Sequence, residues 1–585
     1  MRNCRKLITV LVLTVVTAAI AFAGCAGGND NTKKSGSEKP AVDPGIIYEE
    51  PETLVNADPE KHMRITLLDD GTDIFQPVNG YSYRYGPTML TYKDGTMDAW
   101  FATPGTHGEW DWITYRRYDS VTGTWTKEVA AVQPTGESWD RLSCCDPGAV
   151  YFGGYYYIGY TSTVDIGGVR NNVYVARSRI PDGPYEKWNG SGWGGDPYPV
   201  IYYDGKADEF GAGEPAMTVV GDTIYFYYTW KSAYSSGAKI NQLRVSTGNA
   251  NDENWPATLT YRGVCFDCAS PTGQDSSDVK YVEDYGKFLA VCTDERFTDK
   301  SALVFYESDD GLAFTRIAEL HTGLACKLHN SGMSSRQNGH INTADTVYVA
   351  YAYGSDWGVW ATRMHRISIT LADEPDFSDK NGKNTEYKVE LAEVPDTLWT
   401  VGITTLPHAY RQLVGDEFVL SVYVMDTAFA GPKAVTDAKA IKFTGYDRSV
   451  ISVSGTSAKA LRAGETFVTA EYDGRSTTFP VRVYERGTDL IAGAGNILSL
   501  KATETEYVID IGSREALQIR VTAAYADGTW NEIFKAEEGV AYSGYDTDII
   551  RVSKDGAISS RKQKGETWVT VTAGNAEVKV KVICR

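Results

Sequence analysis

Cys145-Asp146-Pro147-Gly148-Ala149-Val150 runs through the turn Phe152-Gly153-Gly154 into Tyr155-Tyr156-Tyr157-Ile158. It continues to Val173-Tyr174-Val175-Ala176-Arg177-Ser178 and Gly183-Pro184-Tyr185. Apolar and polar residues alternate with period two, and Gly and Pro bound each run, so the stretch reads as consecutive short strands rather than helix. The same plan recurs along the chain. Its copies begin at Gly86-Pro87-Thr88-Met89, Asp146-Pro147-Gly148-Ala149, Glu214-Pro215-Ala216-Met217, Asp278-Val279-Lys280-Tyr281 and His340-Ile341-Asn342-Thr343, roughly 60 to 68 residues apart. Each start leads into a turn and then an aromatic strand, such as Asp98-Ala99-Trp100-Phe101 or Ile224-Tyr225-Phe226-Tyr227. Five phased copies of a four-stranded unit predict a five-bladed β-propeller over residues 49–375.

A second repeat follows. Gly445-Tyr446-Asp447 and Gly464-Glu465-Thr466-Phe467-Val468-Thr469 return as Gly544-Tyr545-Asp546 and Gly565-Glu566-Thr567-Trp568-Val569-Thr570. Each copy closes on an alternating strand, which predicts two β-sandwiches, at 390–486 and 487–585. They resemble bacterial Ig-like domains of group 2, which implies a spacer or adhesion role. The predicted class is therefore all-β: a five-bladed propeller followed by two Ig-like sandwiches.

The N-terminus reads as an export signal. Arg2, Arg5 and Lys6 precede an uncharged apolar run, and the segment ends Phe22-Ala23-Gly24-Cys25. It resembles a bacterial lipobox, which implies removal of residues 1–24, lipidation of Cys25 and anchoring to the membrane without spanning it. Residues 25–48 are mostly small and polar and read as a tether. The expected location is extracytoplasmic, at the cell surface. The net charge of −19 argues against a nucleic-acid partner.

In a propeller the first strand of each blade lines the central channel. Phase therefore brings Gly86, Asp146, Glu214, Asp278 and His340 to one mouth. Three carboxylates and an imidazole converging there suit glycoside hydrolysis, in which one carboxyl protonates the leaving oxygen and another activates water or attacks directly. A third nearby carboxylate helps keep the acid protonated.

The motif Asp146-Pro147 … Tyr155-Tyr156 … Ala176-Arg177-Ser178 … Gly183-Pro184-Tyr185 resembles glycoside hydrolase family 43 and its five-bladed relatives. Gly339-His340-Ile341-Asn342 resembles that family's Gly-His-Asn-Ser start of the last blade. The resemblance covers the propeller only. It implies a base in the first blade, a modulator in the second and an acid, Glu214, in the third. Gly86 stands where the base should be. The catalytic set then shifts one blade, to Asp146, Glu214 and Asp278, which is the favoured reading. Otherwise Glu109, Asp111 or Asp140 supplies the base, or hydrolysis has been lost. In the shifted set Glu214 is the acid, Asp146 the base or nucleophile, and Asp278 the base or modulator.

Substrate contacts are expected at His340, Trp110, Trp112, Trp230 and Arg141, with Trp139, Trp193, Trp357, Arg170 and Arg336 as weaker candidates. The tryptophans could equally pack between blades. No metal site is expected from the sequence and no cofactor is required; the resemblance leaves a structural Ca²⁺ near His340 open. Seven cysteines remain outside the leader and Cys25, and the lone Cys265-Phe266-Asp267-Cys268 has no second pair at zinc spacing. The expected activity is hydrolysis, with inversion, of a plant or host polysaccharide or oligosaccharide. The rival expectation is a non-catalytic glycan-binding or adhesion protein on a degenerate propeller.

Overall fold

The computed structural model describes residues 58, 60–78, 83–105, 109–163, 169–203, 210–233, 239–268, 274–393, 402–425, 432–490, 496–512, 517–526 and 529–585. The expected leader, Cys25 and the tether 25–48 lie outside the described residues. Among those described, the chain is all-β, its helical elements being two single 3₁₀ turns, and no helix is long and apolar enough to cross a membrane.

Five blades form the first part. Blade 1 is built from Tyr85–Thr91, Met97–Pro104, Asp111–Asp119 and Val129–Val132; blade 2 from Cys145–Phe152, Tyr155–Thr163, Arg170–Ser178 and Glu186–Lys187. Blade 3 comprises Phe210–Val220, Thr223–Ala233, Lys239–Asn249 and Thr260–Asp267; blade 4 comprises Asp275–Val282, Lys287–Asp294, Ala302–Ser308 and Thr315–Leu320. Blade 5 takes Leu328–Ser335, Val347–Tyr353 and Ala361–Ala372 from the end of the ring and His62–Leu67 from its beginning. That last strand pairs antiparallel, His62 opposite Ala372 and Leu67 opposite Ile367, and so closes the circle. Met63 and Ile65 point inward and are buried with Leu289, Val291 and Ile369. The innermost strands of blades 5 and 1 meet in parallel at Ser334–Met89.

The inner strands approach closely. A Cβ on Gly148 would lie 2.0 Å from the Pro215 carbonyl, and one on Gly332 equally near that of Pro87. Only glycine fits at these two crossings. The channel cavity is consequently small, about 20 Å³. That is room for about one water, so a ligand as large as a sugar must sit above it.

Two sandwiches follow, with strands from Gly402–Thr405 to Arg475–Tyr484 and from Ile497–Ala502 to Ala576–Cys584. Their strand pairing is the same: sheets of three, four and three strands, with the last strand parallel to an early one in each (Tyr410–Val481 and Glu506–Lys581). Each has its own core, around Val468, Phe479 and Val481 in the first and Val569, Val571 and Val580 in the second.

The sandwiches are not strung out as the spacer analogy implies; both dock on blades 1 and 2. Arg170 of blade 2 meets Glu532 at 2.5 Å, and both side chains are fully buried. Arg141 lies 3.5 Å over the Trp530 ring. Glu137 binds Arg411 and Arg482, and Tyr198 donates to Glu504 at 2.7 Å.

Candidate active site

Each inner strand breaks register near its start, between Tyr85 and Thr88, Cys145 and Gly148, Gly213 and Ala216, Asp275 and Asp278, and His329 and Ser331. A β-bulge bends the strand and re-aims one side chain. At the five bulges the residue with positive φ is Gly86 (60°), Asp146 (48°), Glu214 (53°), Ser276 (59°) and Asn330 (46°). Four of the five are not glycine, and a non-glycine left-handed residue carries backbone strain of the kind that gathers at functional sites. These five residues are the structural equivalents around the mouth.

Asp278 lines the channel cavity with Gly86, Asp146 and Glu214, as expected, but neither it nor His340 holds the equivalent position. Asp278 is not the fourth equivalent but lies two residues deeper, where its carboxylate accepts the Met333 N–H at 2.7 Å and the Lys280 ammonium at 2.9 Å. It staples blade 4 to blade 5. His340 is not the fifth. It pairs in register with Tyr281, five residues and therefore about 16 Å along the strand from Ser276. It is buried at the far end of the channel, with Nε2 at 2.6 Å from the Val219 carbonyl and Nδ1 at 3.3 Å from Glu283. The His-Asn-Ser letters of the motif stand instead at His329-Asn330-Ser331. A legible signal was available: an apolar residue falls three positions after every equivalent, at Met89, Ala149, Met217, Val279 and Met333.

Asp146 and Glu214 do come together. Thr161, on the second strand of blade 2, accepts the Glu214 N–H at 2.7 Å and hydrogen-bonds the Asp146 carboxyl. Glu214 Oε2 accepts the Ser276 N–H at 2.8 Å. Asn330 donates to Ser276 Oγ at 3.2 Å and to Asp146 Oδ1 at 3.5 Å, completing a chain around the axis. Burial first, then the charge of Glu214, then that of Asp111, pushes Asp146 up to about 7. On the blade 3 side, Lys231 and Arg296 both pair with the buried Asp275 and both feel the charge of Glu214. Burial brings Lys231 down to about 8.

Of the three substitute bases the sequence allowed, Asp140 is spent in the core on Lys187, on Tyr160 at 2.9 Å and on the Thr135 N–H at 2.9 Å. Glu109 lines a cavity of about 750 Å³ at the seam with the sandwiches. Asp111 is buried near Asp146, on which its charge acts, with its Oδ1 receiving the Tyr83 hydroxyl at 2.7 Å.

Trp110 stands at the rim, 45% exposed, next to Asp111. Trp112 points the other way, fully buried against Ala130 at the seam with the first sandwich, so it cannot touch a ligand at the mouth. Trp230 is packed between Tyr203 and the Arg244 guanidinium. Arg141 is taken by Trp530, Arg170 by Glu532, and Arg336 by Glu283 and Asp345 at the far end. Trp139 is in the core of blades 1 and 2, and Trp193 packs on Trp188 and Tyr157. Trp357, 79% exposed, meets Trp360 edge to face, and Trp360 contacts His329 and Tyr85 beside two of the bulges. Phe210, 43% exposed and four residues before Glu214, carries Lys231 and Arg296 over its ring. The rim thus has exposed aromatics from blades 1, 3 and 5, and sequence reasoning had not named Phe210 or Trp360.

Among the described residues, no group of three or more His, Cys, Asp or Glu side chains is arranged to hold a metal ion, and the imidazole of His340 is committed to protein partners. All seven described cysteines are unpaired, and Cys145 Sγ lies 3.4 Å from Asp146 Oδ2.

No family model matches this chain, and no curated protein sequence matches it. Among solved structures it is similar to Zg3597, a family 117 glycoside hydrolase from Zobellia galactanivorans, at 14% identity over 53% of this chain and 92% of that one, with a TM-score of 0.36. It is also similar to the GH43_1 enzyme of Xanthomonas citri complexed with xylotriose (12%, 54% and 95%, TM-score 0.37). A third is the α-L-arabinofuranosidase PaAbf62A of Podospora anserina in complex with cellotriose (11%, 51% and 95%, TM-score 0.36). At these identities and scores none of them assigns an activity to this chain.

Proposed function

We propose that the chain is a glycoside hydrolase acting on a plant or host polysaccharide or oligosaccharide, exported and held at the cell surface by a lipid on Cys25. The observation that carries the reading is the pairing of Asp146 and Glu214 on strained bulges at one open mouth, under an aromatic rim. Burial and the neighbouring charge of Glu214 push Asp146 up to about 7, so this carboxyl carries a proton near neutral pH. Glu214 is the acid, protonating the glycosidic oxygen as the bond to the anomeric carbon breaks, with Asp146 beside it as the second carboxyl of the site. Water attacks from the opposite face, with inversion. Trp110, Trp357 and Phe210 offer flat apolar faces for the sugar rings.

Gly86 favours a second reading, a glycan-binding protein without hydrolysis, because the position beside Asp146 has no side chain. Product release from arabinans, xylans, galactans and host glycans separates the two. Wild-type protein is expected to release sugar from at least one of these. Glu214→Gln, folded as judged by circular dichroism, should lose about 100-fold or more. Binding without release in both proteins would replace hydrolysis by recognition.

A further inference from the structure

We propose that Asp111 is the general base of this site, a carboxylate carried on the third strand of blade 1 in place of the side chain missing at Gly86; the proposal rests on the hydrolase reading. Of the five equivalent bulge residues only Gly86 has no side chain. A Cβ there would lie 3.3 Å from the Asp146 Cα and 3.7 Å from its Oδ1, so Gly86 backs directly onto Asp146 and brings no carboxyl to its blade 1 side. Asp111 borders that side. It bridges in parallel to Ser143, three residues before Asp146, and its carbonyl accepts the Cys144 N–H at 3.0 Å. Its charge acts on Asp146, on Cys145 and on Tyr85, the residue preceding Gly86.

The environment of Asp111 differs from that of four other buried aspartates in the ring, each of which is paired with a cation. Asp98 has Arg117, Asp140 has Lys187, Asp275 has Lys231 and Arg296, and Asp278 has Lys280. Asp111 is 8% exposed and its hydrogen bonds come from the hydroxyls of Tyr83 and Tyr85. A buried carboxylate held only by neutral donors is costly. Burial pushes it up to about 7, and the two tyrosines pull against that. Among the described residues, the titratable groups around it are Tyr83 and Tyr85 at the entry to blade 1, and Cys144, Cys145 and Asp146 at the start of blade 2, with Glu214 behind Asp146. A base that titrates near neutrality is matched to taking a proton from water.

The step balances. One O–H bond of water breaks and its proton passes to the Asp111 carboxylate. The water oxygen bonds to the anomeric carbon, the glycosidic C–O bond breaks with its electron pair on the leaving oxygen, and that oxygen takes the proton of Glu214.

The test uses the full soluble chain on a glycoside that the wild type hydrolyses, with Asp111→Asn, Gly86→Asp and the double variant. Asp111→Asn is expected to lose about 100-fold or more in kcat/KM. Sodium azide should restore turnover and give a glycosyl azide, because azide attacks without needing a base. Gly86→Asp should recover at least about tenfold in the Asp111→Asn background, since Asp146 already occupies the same backbone conformation one blade on. Tyr83→Phe keeps the carboxylate but removes one of its donors, so the acidic limb of kcat/KM should move to higher pH. Asp111→Asn within threefold of wild type, or a folded Asp111→Asn that azide does not rescue, overturns the proposal while leaving the hydrolase reading in place. Absence of release by the wild type on every glycan overturns both.

Discussion

Asp146 is strained in thermodynamic terms as well as in conformation, and Asp111 in thermodynamic terms. Folding raises both carboxyls from the ordinary 3.8 to about 7. The folded state therefore holds protons that the unfolded chain releases near pH 4. The stability these groups contribute is full below about pH 4, is lost as pH rises to about 7, and stays lost above it. Asp146→Asn removes the ionising group. It should melt higher than wild type at pH 8, by about 1–2 kcal/mol because the mouth is open to water, and equal it near pH 4. Thermal melts across this range check the sign; a variant less stable than wild type at pH 8 contradicts it. Asp146 and Glu214 were legible in the sequence because each precedes a proline at the same phase. Ser276 and Asn330 were not, because a serine follows each, and the neighbouring Asp278 and His340 are chemically louder. The bulge, not the residue type, decides which side chain reaches the mouth, and a bulge leaves only a weak trace in the pattern.

At the scale of the element, the blades were readable as period-two runs between turns, but the closure of the ring was not. His62–Leu67 is a single strand far from its partner Ala361–Ala372 in sequence, and no repeat unit contains it. Its alternation, with Met63 and Ile65 inward and Arg64 and Thr66 exposed, suits an outer strand that must cover one face of blade 5. Glu307 fixes its start, accepting the Met63 N–H at 2.8 Å and lying 2.6 Å from His62 Nδ1. Ile65→Ala should cost about 2–4 kcal/mol, measured by urea denaturation, although it touches nothing at the mouth. A cost below about 0.5 kcal/mol would mean that the strand does not close the ring.

For the whole molecule, the sandwiches clamp the blades that carry the chemistry. Arg170–Glu532, Arg141 on Trp530 and Glu137 with Arg411 and Arg482 all tie them to the segments flanking Asp111 and Asp146. An active site needs its residues held by rotamer-locked neighbours, and these contacts supply such support on two of the five blades. The sequence showed two modules but not their seat, because Arg141 and Arg170 look the same whether they meet a sugar or an aromatic and a carboxylate from a distant module of the chain. What the assembled molecule does is tested most directly by proton NMR of the anomeric signals during the first turnovers of a cleaved glycoside. Attack by water on one face, with the proton of Glu214 delivered on the other, predicts a first product of inverted anomeric configuration. A first product of retained configuration would require a covalent intermediate and would contradict the account.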